Sequence, residues 1–480
     1  MSRRMLALSV VCLSFGLPGS SIAADHEVDS SFGPNGTGWH RLYEPGNATQ
    51  DQFAVAHART ADGGYVVALE FPNDGANGGT GKRIGLQRLS QNGTLVTNWG
   101  TNGRVVKDAW LTSVIDMTID AQGRIIVIGP TPGPGGVSDF GVVRFNADGT
   151  VDTSFAGDGG AAVGFDGALN WDDWPTSVLA EADGRIVVAG STVPAGLKSR
   201  WAVLRLNENG TIDNSFGSID DGQGGRRGSN DAFIDGEPAS GERILKIASG
   251  YYVITGTTQF SSTDWDFAAR ILTPSGGQWA NFAGSGRFSV DIPSGSIDQL
   301  RDAVLVNPTT ILLVGDANDK FAALRIVASA NGMGQYTQLA LDTSFVGSAI
   351  PTTPFVFVGN TSNSSSASAA IDNEGRAWIV GVESFPGTVG KGLVMRLNPN
   401  GSLDSSFANG IGYSYYSAPI TGGGNSTSHY TQLSKVSIVG SQAVLLGSAA
   451  DGAVTHDDFD GVITRLQSGS LELFSDGFEP

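Results

Sequence analysis

The chain has 480 residues, 68 of them Gly and 19 Pro, with 40% hydrophobic and 16% charged residues, a balance that excludes both a helical bundle and a disordered chain. Acidic residues outnumber basic ones 47 to 29, and the net charge of −18 repels nucleic acid and anionic lipid. Cys12 is the one cysteine, so disulfides and cysteine-based metal sites or nucleophiles are excluded from the rest of the chain.

In chain order, the first feature is a basic pair, Arg3 and Arg4, then an apolar run from Met5 to Leu17 and small residues up to Ala24. This is the layout of a secretory signal peptide over residues 1–24, and the run is shorter than the ~20 apolar residues of a membrane span. "VDSSFGPNGTGWHRLY", from Val28 to Tyr43, reads as a turn phrase and one strand with nothing before them to complete a unit. Strands are then expected near Gln52–Arg59, Tyr65–Leu69, Ile84–Leu89 and Arg104–Lys107. From there a pattern repeats about every sixty residues. Its most regular piece is a Gly-bounded, β-branched run: "GYVVALE" (Gly64), "GRIIVIGP" (Gly123), "GRIVVAGS" (Gly184), "GYYVITGT" (Gly250), "TTILLVGD" (Thr309), "GRAWIVGV" (Gly375) and "SQAVLLGS" (Ser441). An alternating strand precedes each run. An Arg-bearing strand follows it, then a turn phrase and a fourth short strand.

Seven such units predict an all-β fold: a seven-bladed β-propeller over residues 25–470, four antiparallel strands per blade, with a tail at 471–480. The seventh unit ends without a fourth strand. The spare N-terminal strand is therefore expected to close the ring, Trp39–Leu42 pairing antiparallel with Gly461–Leu466, because an open ring would expose two strand edges.

The phrase "DGRIVVAG…WAVLRLNENGTIDNSFG" is similar to the delta-60 repeats of secreted and surface-associated bacterial proteins. The resemblance implies a propeller-like β fold and no particular activity. The first, fourth and fifth units depart from the phrase ("LVTNWG", "GGQWANFAG" and the inserted "VASANGMGQYTQLALDTSF"), which predicts irregular turns there and not lost blades.

Within the phrase, Arg144, Arg205 and Arg396 stand in register with Asp152, Asp213 and Asp404 and with Phe155, Phe216 and Phe407. Residues that recur once per blade serve the blade. The expected arrangement is an Arg held by the Asp of its own turn and by carbonyls, with the Phe plugging the space between blades.

Turns joining strands one to two and three to four lie on one face of a propeller and are nearly uniform here. Loops on the opposite face differ in every blade, and binding residues concentrate on variable loops carried by a rigid scaffold. That face collects Trp110, Trp171, Asp172, Asp173, Trp174, Asp264, Trp265, Asp266 and Tyr415. Aromatic platforms beside carboxylates suit sugars or extended peptides. The expected function is therefore that of an exported, monomeric, non-catalytic binding protein whose partner is a glycan, a peptide or a surface protein. Two alternatives stay open. One is a polysaccharide hydrolase or lyase using Asp172 or Asp173 with Asp264 or Asp266; the other is a structural envelope component. No cofactor motif is present, although calcium is the cation that acidic stretches such as "NWDDWP" and "STDWDF" would hold.

Overall fold

The computed structural model describes residues 26–42, 51–72, 82–107, 110–165, 171–194, 196, 198–217, 219–220, 226–230, 239–261, 264–277, 288–292, 297–317, 319–345, 355–358, 364–384, 389–419, 429–451 and 459–467. The expected signal segment and C-terminal tail lie outside these residues. Seven antiparallel sheets follow one another around an axis. Blade 1 is built from Phe53–Arg59, Tyr65–Pro72, Lys82–Leu89 and Arg104–Lys107, innermost strand first. Blades 2, 3 and 4 begin with Asp116–Ile119, Asp172–Ala180 and Ala239–Lys246. Blades 5, 6 and 7 begin with Asp298–Asn307, Ser364–Ile371 and His429–Val439. Among the described residues no helix is long and apolar enough to cross a membrane.

The β-branched runs are buried on both sides, and their period of two explains how. In "GRIIVIGP", Ile125 and Val127 pack into the cluster shared with blade 1, while Ile126 and Ile128 pack into the cluster shared with blade 3. Described apolar clusters of this kind occupy all seven blade junctions. The core is thus a ring of seven seams.

The repeated phrase fastens those seams on one face. In blade 3, Asp213 Oδ1 accepts the N–H of Ser215 at 2.9 Å and its hydroxyl at 2.6 Å, which shapes the turn. Asp213 Oδ2 accepts Arg205 Nε at 2.8 Å. Burial alone would raise the Asp213 pKa, but the Ser215 and Arg205 bonds outweigh it and hold the carboxyl below its ordinary range. Arg205 lies over the Phe216 ring at 4.5 Å and donates onward to the carbonyl of Pro274 in blade 4 at 3.2 Å. Arg144 likewise donates to Asp152 (2.7 Å) and Glu208 O of the next blade; Arg325 donates to Asp342 (2.7 Å) and Pro399 O. Arg396 pairs with Asp404 at 2.6 Å and covers Phe407. For Arg144, Arg205 and Arg325 the carbonyl partner belongs to the following blade, so these three clasps each tie two blades together.

The glycine of the turn is part of the same device. Gly210 has φ +84°, and a Cβ there would stand 3.0 Å from the ring of Phe155 in the preceding blade. Gly93 faces Phe32 in the same way, at 2.5 Å. A side chain at either position would meet both left-handed backbone and an aromatic ring.

The irregular units keep their blades. In blade 1, Trp99 replaces the Phe: its ring lies under Gly149 and its Nε1 donates to Ala147 O at 2.8 Å. In blade 5 the insertion lengthens the third strand, Lys320–Ala330, into a hairpin with Tyr336–Leu341. The outer strand Phe355–Val358 pairs with the other half of the same strand.

Closure follows the predicted pairing. Trp39 pairs with Thr464, His40 with Ile463, Arg41 with Val462 and Leu42 with Gly461, antiparallel. The N-terminal phrase supplies blade 7 with its clasp as well. Arg465 Nε donates to Asp29 at 2.9 Å and Nη1 to Gln91 O of blade 1 at 3.1 Å, while Phe32 fills the seam between blades 7 and 1.

Candidate functional site

In each blade the inner strand starts, the third strand starts and the outer strand ends on the face opposite the clasps. The residues expected to bind ligand all sit there, distributed over several blades instead of converging on one cleft. Asp172 and Trp174 head the inner strand of blade 3, and both are exposed, Trp174 at 46%. Asp172 Oδ1 accepts the N–H of Ser138 from blade 2 at 3.1 Å, so two blades share that edge. Trp110 and Trp171 are half-buried and pack against the apolar clusters of blade 2 with blades 1 and 3. In blade 6, Tyr415 donates to Glu383 at 2.5 Å; burial and that carboxylate push the phenol above its ordinary pKa.

Asp173 has another role. It is fully enclosed, and its Oδ2 accepts the N–H of Phe165 at 2.8 Å, fastening the connection that enters blade 3. Asp298 does the same at the entry to blade 5, accepting the N–H of Ile292 at 2.8 Å. The alternation of side chains explains the split within "WDDW": Asp172 and Trp174 point outward, and the residue between them points in.

At the junction of blades 4 and 5, Asp264, Asp266 and Asp291 come together, their ligand oxygens all within 4.8 Å of one another. Asp266 is buried, and burial together with Asp264, Asp291 and Asp298 pushes its pKa up to about 7. Trp265, between the first two in sequence, bridges to Ile297, which is 48% exposed.

One constellation escaped the sequence reading. Six inner strands carry a β-bulge at the same level, and Asp116 begins the remaining one at the equivalent pairing position. The residues after the bulge form a ring around the axis: Ala56, Asp116, Ser177, Arg243, Asp302, Ser368 and Lys435. Arg243 of blade 4 reaches both Asp302 of blade 5 and, at 2.7 Å, Asp116 of blade 2; Lys435 of blade 7 faces Asp116 at 3.7 Å. The bulges leave backbone N–H groups without strand partners, and the ring takes up several of them. Ser177 accepts from Ile244 at 3.3 Å and Asp302 from Ala369 at 3.0 Å. Burial alone would lower the Arg243 pKa and raise that of Asp302. Their mutual attraction reverses both, so each is held charged. Stacking the inner strands by their bulges places a polar or charged residue at this level in six of the seven blades, with Ala56 the exception.

Three segments, residues 122–155, 181–216 and 378–407, match the family described as "Domain of unknown function (DUF5122) beta-propeller". Two of these segments span a second strand, the Arg-bearing strand and the turn phrase; the third begins inside its second strand. No curated protein matches the chain. Among solved structures, it is similar to a protein of unknown function from Dyadobacter fermentans (11% identity, 90% of this chain and 100% of that one, TM-score 0.41). A glucose dehydrogenase (11%, 71% and 95%, TM-score 0.34) is also similar. So is the alpha-L-arabinanase of Penicillium chrysogenum complexed with arabinobiose (11%, 61% and 85%, TM-score 0.37).

Proposed function

We propose that the chain is an exported binding propeller that engages a glycan, an extended peptide or a surface protein through the face opposite its clasps. The observation that carries this reading is the contrast in how the two faces use their side chains. On the clasp face, arginines, aspartates and phenylalanines are bonded to one another and to the next blade. On the other face, Asp172 and Trp174 present a carboxylate and an aromatic surface side by side, a pairing that suits a polar ligand with an apolar ring face. The basic, apolar and small-residue layout of residues 1–24 supports export.

The hydrolase or lyase reading is weaker, because two of its four carboxylates, Asp173 and Asp266, are enclosed. A glycan array with the purified chain tests the proposal, followed by a peptide array if no glycan binds. Binding is expected to fall at least tenfold in Trp174→Ala with no change in melting temperature. Turnover of a polysaccharide, or binding that survives substitution of Asp172 and Trp174, would contradict it.

A further inference from the structure

Asp264 and Asp266 stand two residues apart at the head of the third strand of blade 4, so their side chains leave the same side of the sheet. Asp291 follows the outer strand Phe288–Val290 of the same blade and arrives at the same corner. Chain direction alone brings them there, because the third strand starts and the fourth ends on one face.

Asp266 is buried, Asp264 half-buried and Asp291 exposed, and Asp266 is bonded unlike several other buried acids. Asp213 is answered by Arg205, Asp302 by Arg243, and Asp298 by the N–H of Ile292. Asp266 is 6% exposed, yet its Oδ1 is sealed from solvent without a hydrogen-bond partner among the described residues. Asp264 Oδ1 is in the same condition. A buried carboxylate oxygen left without a partner costs about 1–3 kcal/mol or more, and three mutually close carboxyl groups repel one another when charged. The arrangement lacks a positive charge at its centre.

We propose that Asp264, Asp266 and Asp291 bind one calcium ion. The donors are all hard oxygens, which excludes a preference for zinc or copper. Calcium accepts ligands at about 2.3–2.6 Å, so oxygens on opposite sides of the ion stand roughly 5 Å apart, whereas magnesium draws them to about 4 Å in strict octahedral geometry. The three oxygens lie within 4.8 Å of one another, inside the span that one ion bridges, and carboxylates arriving from two chain segments suit the irregular shell that calcium tolerates. Three carboxylates leave further positions for water, and a shell so sparsely supplied by protein belongs in the weak range of extracellular modules, about 10⁻⁴–10⁻³ M. The ion ties the start of one strand to the exit of another. This site stands whether or not the same face engages a glycan or peptide.

The test uses the intact chain, stripped with a chelator. Calcium is titrated by calorimetry, and terbium serves as its luminescent stand-in, sensitised by Trp265 between two of the ligands. One terbium site displaced by calcium is expected, with emission reduced at least tenfold in Asp264→Asn and in Asp266→Asn. Calcium should raise the melting temperature of the wild type and leave both variants unmoved. Without calcium, both variants should melt at or above the wild-type temperature, since each removes repulsion and shows thereby that it folds. No saturable calcium binding at several millimolar, equal affinity for magnesium, or binding unaffected by both substitutions would overturn the proposal.

Discussion

The two faces of this ring differ in what their described side chains are bonded to. Both expose large hydrophobic residues: Met333 and Ile411 on the clasp face, Trp174 and Ile297 on the other. On the clasp face, however, Arg205 is committed to Asp213, Phe216 and the carbonyl of Pro274. On the variable face Asp172 and Trp174 are exposed, and Asp264 and Asp266 each have an oxygen without a partner among the described residues. A repeat keeps the residues that join it to its neighbour uniform, because every junction poses the same geometric problem. The loops that join nothing are free to vary. Uniformity therefore marks structure, and the exceptions mark where a ligand can act.

The largest effect that would sharpen this division lies at the seam. Removing residues 26–42 takes Phe32, Trp39 and Leu42 out of two junctions and strips the outer strand from blade 7. Burial of each side chain is worth roughly 1.5–3 kcal/mol, before the exposed strand edge is counted. The truncated chain should lose cooperative thermal unfolding, while removal of residues 475–480 should leave the melting curve unchanged. Equal behaviour would mean that the seam is not what holds the ring.

The axial layer comes next. Arg243→Ala strands Asp302 and Asp116 with Lys435 as their remaining cation among the described residues, and breaking a buried ion pair in this way costs about 3–5 kcal/mol. Urea unfolding should show it, and a loss below about 1 kcal/mol would mean that the layer is solvated.

A further contribution depends on pH. Burial lowers the pKa of His40 and of His57 to about 4, with Arg104 and Lys435 adding to it. The unfolded chain takes up these protons near pH 6.5 and the folded chain only near 4. Stability from both is therefore complete above pH 6.5 and lost as pH falls towards 4, roughly 3 kcal/mol for each histidine. The double variant His40→Gln/His57→Gln should flatten unfolding free energy against pH across that window. A slope unchanged by the substitutions would show that both side chains are solvated.

Much of the fold was legible because it rests on local, repeated signals. Gly-bounded, β-branched runs gave the strands, and the surplus N-terminal phrase and strand gave the pairing that closes the ring. The carbonyl partners of the arginines were not assignable to the next blade, since Arg205 and Pro274 are 69 residues apart and no local pattern links them. The axial ring was hidden for a related reason: its residue type changes from one blade to the next, so it leaves no motif. Of the candidate site, the face and its aromatic and acidic content could be read. The inward turn of Asp173 follows from strand alternation once the strand is placed, but its bond to the N–H of Phe165 could not be read locally. The gathering of Asp291 with Asp264 and Asp266 was also out of reach, since it depends on where an outer strand ends.

The most direct measurement of the division between faces is a paired urea unfolding of Asp213→Ala and Asp172→Ala. Asp213 loses three hydrogen bonds of a clasp and leaves Arg205 without its carboxylate, so the account predicts a loss of about 1–3 kcal/mol. Asp172, exposed and bonded through one backbone N–H, should change stability by less than about 0.5 kcal/mol. Equal losses from the two substitutions, or the larger loss from Asp172→Ala, would contradict it.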